Sequence, residues 1–168
     1  LYTLPTAVRT LALLYNKDLV KEAPKDTDEM IKVAAALTKG DVVGFAYNMT
    51  EPFWLVPWLG GFGGQVYDSE GKPSLNTDAM KKTLQLLYDF KFTAKITPQE
   101  CDYGCADTLF KDGKAAMIVN GDWSLGDYDK ALGDKLAAER DKAMLSRELA
   151  TIRTDLELEL DWQALHNE

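Results

Sequence analysis

Asn48-Met49-Thr50-Glu51-Pro52-Phe53-Trp54-Leu55-Val56-Pro57-Trp58-Leu59-Gly60-Gly61-Phe62-Gly63-Gly64 follows the apolar run Val42-Val43-Gly44-Phe45-Ala46-Tyr47, and the pair of segments sets the fold. The apolar run reads as a buried strand. Glu51-Pro52 then opens a helix, because proline at the first helical position gives up an N–H that has no partner there. A carboxylate beside a helix N-terminus is favoured by the exposed N–H groups. A strand that ends in polar residues and feeds a helix puts Glu51, Phe53 and Trp54 at the rim of a sheet, where α/β folds hold ligands. The glycines from Gly60 to Gly64 release the helix.

Working outward, strands and helices alternate. Leu11-Ala12-Leu13-Leu14-Tyr15-Asn16 reads as a strand covered on both faces. Thr27 is a candidate N-cap for a helix with Met30, Val33, Ala34 and Leu37 on one face, stopped by Lys39-Gly40. Gln65-Val66-Tyr67 reads as a short strand before a turn at Ser69–Pro73. Asn76-Thr77-Asp78 caps a long helix whose spacing places Met80, Leu84, Leu87 and Tyr88 inward. A helix from about Tyr103 to Lys111, a buried strand at Ala115–Val119 and a helix to about Leu132 follow. The alternation predicts an α/β fold, a small mixed sheet flanked by helices.

The chain has 168 residues, 46% hydrophobic and 27% charged, enough for one domain with a sizeable core. Its net charge of -8 argues against nucleic acid or an anionic membrane surface as partner. No apolar run approaches a membrane span in length. The sequence carries no signal peptide and begins at Leu1-Tyr2-Thr3-Leu4-Pro5 without an initiator Met, which reads as an excised or processed piece.

Cys101 and Cys105 admit two readings, a small disulfide of an exported protein or two buried thiols on a helix face. Positions four apart on a regular helix lie near the long end of disulfide reach, which favours the thiols. The one histidine, His166, is too isolated to complete a zinc site, so we expect no metal and no cofactor. Glu51 and Asp122 are the only carboxylate pair worth weighing for glycoside hydrolysis, and nothing in the sequence sets their separation. We therefore expect a binding protein rather than an enzyme. Large aromatic faces beside a carboxylate suit a sugar ring, which offers C–H faces to stack on and hydroxyls to hydrogen-bond. The competing reading of Phe53, Trp54 and Trp58 is core packing; Trp54 and Trp58 are four apart and share a helix face.

Four stretches carry a resemblance. They are Pro5-Thr6-Ala7-Val8 with Leu14-Tyr15-Asn16-Lys17-Asp18-Leu19, then Glu51-Pro52-Phe53-Trp54, then Asn76-Thr77-Asp78-Ala79, and finally Phe110-Lys111-Asp112-Gly113-Lys114-Ala115-Ala116-Met117 with Asn120-Gly121-Asp122-Trp123. In this order and spacing, residues 1 to about 134 resemble the maltose-binding type of extracytoplasmic solute-binding protein of ABC importers. The resemblance implies one lobe of a two-lobed protein that closes on an oligosaccharide, entered at a hinge near Pro5. It implies that Glu51, Phe53 and Trp54 line the sugar site, that Trp123 adds a stacking face, and that Asp122, where some members have Pro, accepts a sugar hydroxyl. It further implies a periplasmic or extracellular setting and the importer's membrane subunits as partners.

Residues 135–168 carry none of those motifs and read as a mainly helical tail of separate origin. Leu136 to Arg153 reads as an amphipathic helix with a seam of Leu145, Leu149, Ile152 and Leu156. Beyond it Leu156, Leu158, Leu160 and Trp162 alternate with acidic residues, and helix and strand both stay open. A seam packed on the lobe predicts a monomer; an exposed seam predicts a homodimer. The two functional expectations are a carbohydrate-binding lobe, weak as an isolated half-cleft, and an engineered or chimeric structural module with no retained ligand binding. Half of a micromolar binding energy of about -8 kcal/mol is about -4 kcal/mol, which corresponds to a millimolar dissociation constant.

Overall fold

A computed structural model of the chain describes residues 9–133 and a strand at 136–138. The hinge at Pro5, the seam from Leu145 to Leu156 and its dimer, and His166 lie outside the described residues.

Four strands form one sheet in the order β2-β3-β1-β4. They are β1 (Leu11–Asn16), β2 (Val43–Ala46), β3 (Ala115–Gly121) and β4 (Leu136–Ala138). β1 pairs antiparallel with β3, with Leu11 opposite Gly121, and antiparallel with β4 on its other edge. β2 and β3 run parallel, with Ala46 opposite Ile118. The sheet is therefore mixed. The run Leu11–Asn16 shows why a strand forms there: Leu11, Leu13 and Tyr15 face one apolar core, and Ala12 and Leu14 face another. Period two serves both faces at once.

The first core takes Met30 and Ala34 from α1 (Thr27–Leu37), together with Phe45, Tyr47, Trp54, Phe90 and Ile96. The second takes Ala106 and Phe110 from α4 (Tyr103–Lys111) and Tyr128 and Leu132 from α5 (Leu125–Leu132). Between β2 and α4 the chain makes a 3₁₀ turn at Pro52–Leu55, α2 (Val56–Gly61) and α3 (Asp78–Tyr88), which runs on as a π turn at Asp89–Thr93. Gly44 lets α1 lie against β2, since a Cβ there would sit 2.0 Å from the Ala34 carbonyl oxygen.

Several expectations need correction. The α1 cap is Asp26, whose carboxylate accepts the Glu29 N–H at 2.8 Å; Thr27 is the first helical residue. Val66–Tyr67 is not a strand, and Tyr67 makes only an isolated bridge to Pro73. Leu84 and Tyr88 point outward, 53% and 55% exposed, while Thr83 and Phe90 are buried and Leu86 and Leu87 pack against the first core. Phe90 fixes that choice of face by packing edge-on to Phe45 and Trp58 at 5.6 and 5.3 Å. Leu136–Ala138 is an edge strand rather than the start of a helix: β1 offers a free edge, and its backbone hydrogen bonds outweigh local propensity. Finally, Cys101 and Cys105 form a disulfide with Cα atoms 5.2 Å apart. Cys101 precedes the first turn of α4, so the pair is not on regular helix and the reach argument does not apply.

Candidate functional site at one end of the sheet

Because β2 and β3 are parallel and β1 runs against them, the C-terminal ends of β2 and β3 meet the N-terminal end of β1. Four segments converge there: Asn48–Trp54 after β2, Asp122–Ser124 after β3, Arg9–Thr10 before β1, and the first turn of α4. The Thr10 carbonyl accepts the Asp122 N–H at 3.1 Å and ties two of them together.

The turn at Pro52–Leu55 presents its residues unequally. Phe53 stands out at 55% exposed, whereas Trp54 is 4% exposed and joins the first core. Their rings meet edge-on at 5.3 Å. Glu51 caps the turn without a side-chain bond to its N–H groups; its Oε2 instead accepts the Trp54 indole N–H at 3.2 Å. The Trp54 carbonyl accepts the Tyr47 hydroxyl, and that hydroxyl accepts the Trp58 indole N–H at 2.7 Å. The bulk and orientation of the rim are thus held from below by a buried polar chain.

Trp123 enters from β3 and is 42% exposed. Its indole lies against Gly121, where a Cβ would sit 2.2 Å from the ring. The residue that joins the two halves is Tyr103. Its ring lies 5.8 Å from Trp54, tilted by 31°, and its hydroxyl accepts a long 3.4 Å bond from the Trp123 indole N–H and sits 3.4 Å from Ser124 Oγ. Phe53, Trp54, Tyr103 and Trp123 make one chain of contacts, with Phe53 and Trp123 exposed at its ends and Trp54, which the sequence placed at the rim, buried beneath them. The sequence reading missed Tyr103, and the signal available was its place one residue after the Asp102 cap, where a side chain faces the sheet end that the neighbouring strand termini share.

Polar groups frame this surface. Asp122 Oδ1 is buried, lies 3.8 Å from Arg9 Nη1, and has no hydrogen-bond partner among the described residues. Asn48 accepts from Thr50 N and Oγ1 through Oδ1, while its buried Nδ2 likewise has no partner there. Buried polar groups are ordinarily paired, so Asn48 Nδ2 and Asp122 Oδ1, which has only the Arg9 ion pair, are exceptions at this end of the sheet. Among the described residues no cluster of His, Cys, Asp and Glu fits a metal. A recess of about 340 Å³ lies at the other end of the sheet, lined by Asn16, Leu19, Lys111, Gly113 and Leu132 among others, and shares no residue with the aromatic cluster.

Residues 1–143 match the family described as bacterial extracellular solute-binding protein. The chain belongs to that family. This solute-binding protein is 33% identical over 145 residues to the maltodextrin-binding protein MdxE of Bacillus subtilis, covering 77% of this chain and 34% of the relative. It is 31% identical over 144 residues to the galactooligosaccharide-binding protein of the same organism, covering 78% of this chain and 34% of that relative. Among solved structures, the maltose/maltodextrin-binding domain MalE from Bdellovibrio bacteriovorus bound to maltotriose superposes with a TM-score of 0.73 at 40% identity, covering 76% of this chain and 35% of that one. The Thermus thermophilus maltotriose-binding protein bound with maltotriose gives 0.69 at 38% identity over 77% and 36%. The sequence and the α/β lobe are of the maltose-binding type. The solute-binding protein described here spans about a third of the length of these relatives.

Proposed function

We propose that the rim built by Glu51, Phe53, Trp54, Tyr103, Asp122 and Trp123 is one face of an oligosaccharide site of the maltodextrin type, serving uptake through an ABC importer from a periplasmic or extracellular position. The supporting observation is the run of contacts from Phe53 through Trp54 and Tyr103 to Trp123, with Phe53 and Trp123 exposed at its two ends and the Asp122 side chain beside it. Exposed Phe53 and Trp123 offer stacking faces, Trp54 and Tyr103 form the floor, and the carboxylates accept sugar hydroxyls. No step of bond cleavage is assigned to Glu51 or Asp122; the role is recognition, not catalysis.

A single rim shares out the binding energy that two closing lobes would supply together. We expect a dissociation constant in the millimolar range, from about -4 kcal/mol. Tryptophan emission titrated with maltotriose tests this, with saturation in that range expected and no saturation overturning it. The second reading, a structural or chimeric module without ligand, draws on the burial of Trp54, which leaves one indole face fewer for a sugar. It is selected if emission stays flat to about a tenth molar sugar, a concentration at which millimolar binding would be saturated.

A further inference from the structure

We propose that the Cys101–Cys105 disulfide is a positioning device for Tyr103, holding its ring between Trp54 and Trp123. The sequence Cys101-Asp102-Tyr103-Gly104-Cys105 places the tyrosine at the middle of the closed ring. Three ties converge on that turn. The disulfide joins its ends. The Asp102 carboxylate accepts the Cys105 N–H at 2.8 Å. The Cys101 carbonyl accepts the Met49 N–H at 3.4 Å, which fastens the turn to the segment leading into Glu51 and Trp54.

The chemistry of the turn explains why a tie is needed. Gly104 sits in the first turn of α4, next to Tyr103, and glycine widens the conformations open to the backbone there. Space does not demand that glycine: a Cβ would meet only Asp102 Oδ1, at 3.6 Å. A ring of five residues restricts the unfolded chain far less than a long loop does, so overall stability gains less from this bond than from most. What it constrains most is the local orientation of the residue it encloses. Cys101 is buried in the second core, while Cys105 is partly exposed and open to reagents. An extracellular family suits a bond that forms under oxidising conditions.

The consequence for affinity rests on the sugar reading above; the consequence for geometry does not. The test compares the oxidised chain, the same chain treated with dithiothreitol, which leaves two thiols and takes up the disulfide form itself, and a Cys101→Ala/Cys105→Ala variant. Amide exchange at Met49 and Cys105 should quicken about tenfold or more without the bond, and the ring-current shifts of Tyr103 should shrink toward free-tyrosine values, while amides of β1 and β3 keep their protection. Affinity for maltotriose should fall about three- to tenfold, the equivalent of one aromatic contact. Gly104→Ala added to the disulfide-free variant should recover part of both. Unchanged exchange and ring shifts at Tyr103 would overturn the proposal, as would protection lost evenly over the whole sheet, which marks a bond that only stabilises. If neither form binds maltotriose but the local changes appear, the sugar reading fails and the positioning role stands.

Discussion

Trp123 rests directly on Gly121: a methyl group at that glycine would lie 2.2 Å from the indole carbons. No side chain fits there without moving the ring, although the Gly121 backbone, at φ -85°, is open to any residue. Gly121→Ala should therefore push Trp123 away from the Tyr103 hydroxyl and leave the strand intact. The expected outcome is a shift in tryptophan emission and a three- to tenfold loss of sugar affinity, the worth of about one aromatic contact. The thermal midpoint should move little, because Trp123 is already 42% exposed. Unaltered emission and affinity would show that the ring does not use this seat.

Tyr47 and Tyr128 make stability depend on alkaline pH. Burial raises the pKa of both hydroxyls; the hydrogen bonds from Trp58 and Asn120 offset only part of that. In the unfolded chain a tyrosine ionises at about pH 10, so above that value the folded state holds protons that the unfolded state has lost. Their contribution is complete below about pH 10 and falls away as pH rises toward the folded values. Denaturant midpoints measured from pH 8 to 11 should be level at first and then decline. Tyr47→Phe should remove part of the decline and cost about 1–3 kcal/mol at neutral pH, since the Trp58 indole N–H loses its acceptor.

The inner face of α3 can be checked by a pair of substitutions. Phe90 is fully buried against Phe45 and Trp58, so Phe90→Ala should cost about 3–5 kcal/mol. Leu84→Ala removes a side chain that is 53% exposed and should change stability by about 0.5 kcal/mol or less. The reverse ranking in urea unfolding would restore the face that periodicity suggested.

Gly44→Ala tests how tightly α1 is laid on the sheet. The added carbon meets the Ala34 backbone rather than a movable side chain, at 2.0 Å. A loss of about 3 kcal/mol or more is expected from urea unfolding, at the upper end of overpacking costs. A neutral effect would mean that the helix shifts freely.

These particulars also show what could be read from residues alone. Leu11–Asn16 was legible because an apolar run covered on both faces serves two cores, and Tyr103–Lys111 because Asp112-Gly113 closes it. The turn at Pro52–Leu55 followed from a strand running into Pro52, but the burial of Trp54 did not. Three features were hidden. The face of α3 depended on Phe90, which sits in the π turn and whose partners Phe45 and Trp58 are distant in sequence. The edge strand Leu136–Ala138 depended on the open side of β1, a tertiary partner that local Ala-rich composition does not announce. Tyr103 reaches Trp54 and Trp123 only after β2, β3 and α4 are assembled, and the disulfide beside it was obscured by treating Cys101 as helical.

The central claim is that the aromatic surface from Phe53 to Trp123 receives an oligosaccharide. Isothermal titration of the chain and of Trp123→Ala with maltotriose at matched concentrations measures it most directly. Saturable millimolar binding that weakens about tenfold in the variant is the predicted result. Binding of equal strength in both proteins, or none in either up to about a tenth molar sugar, would contradict it.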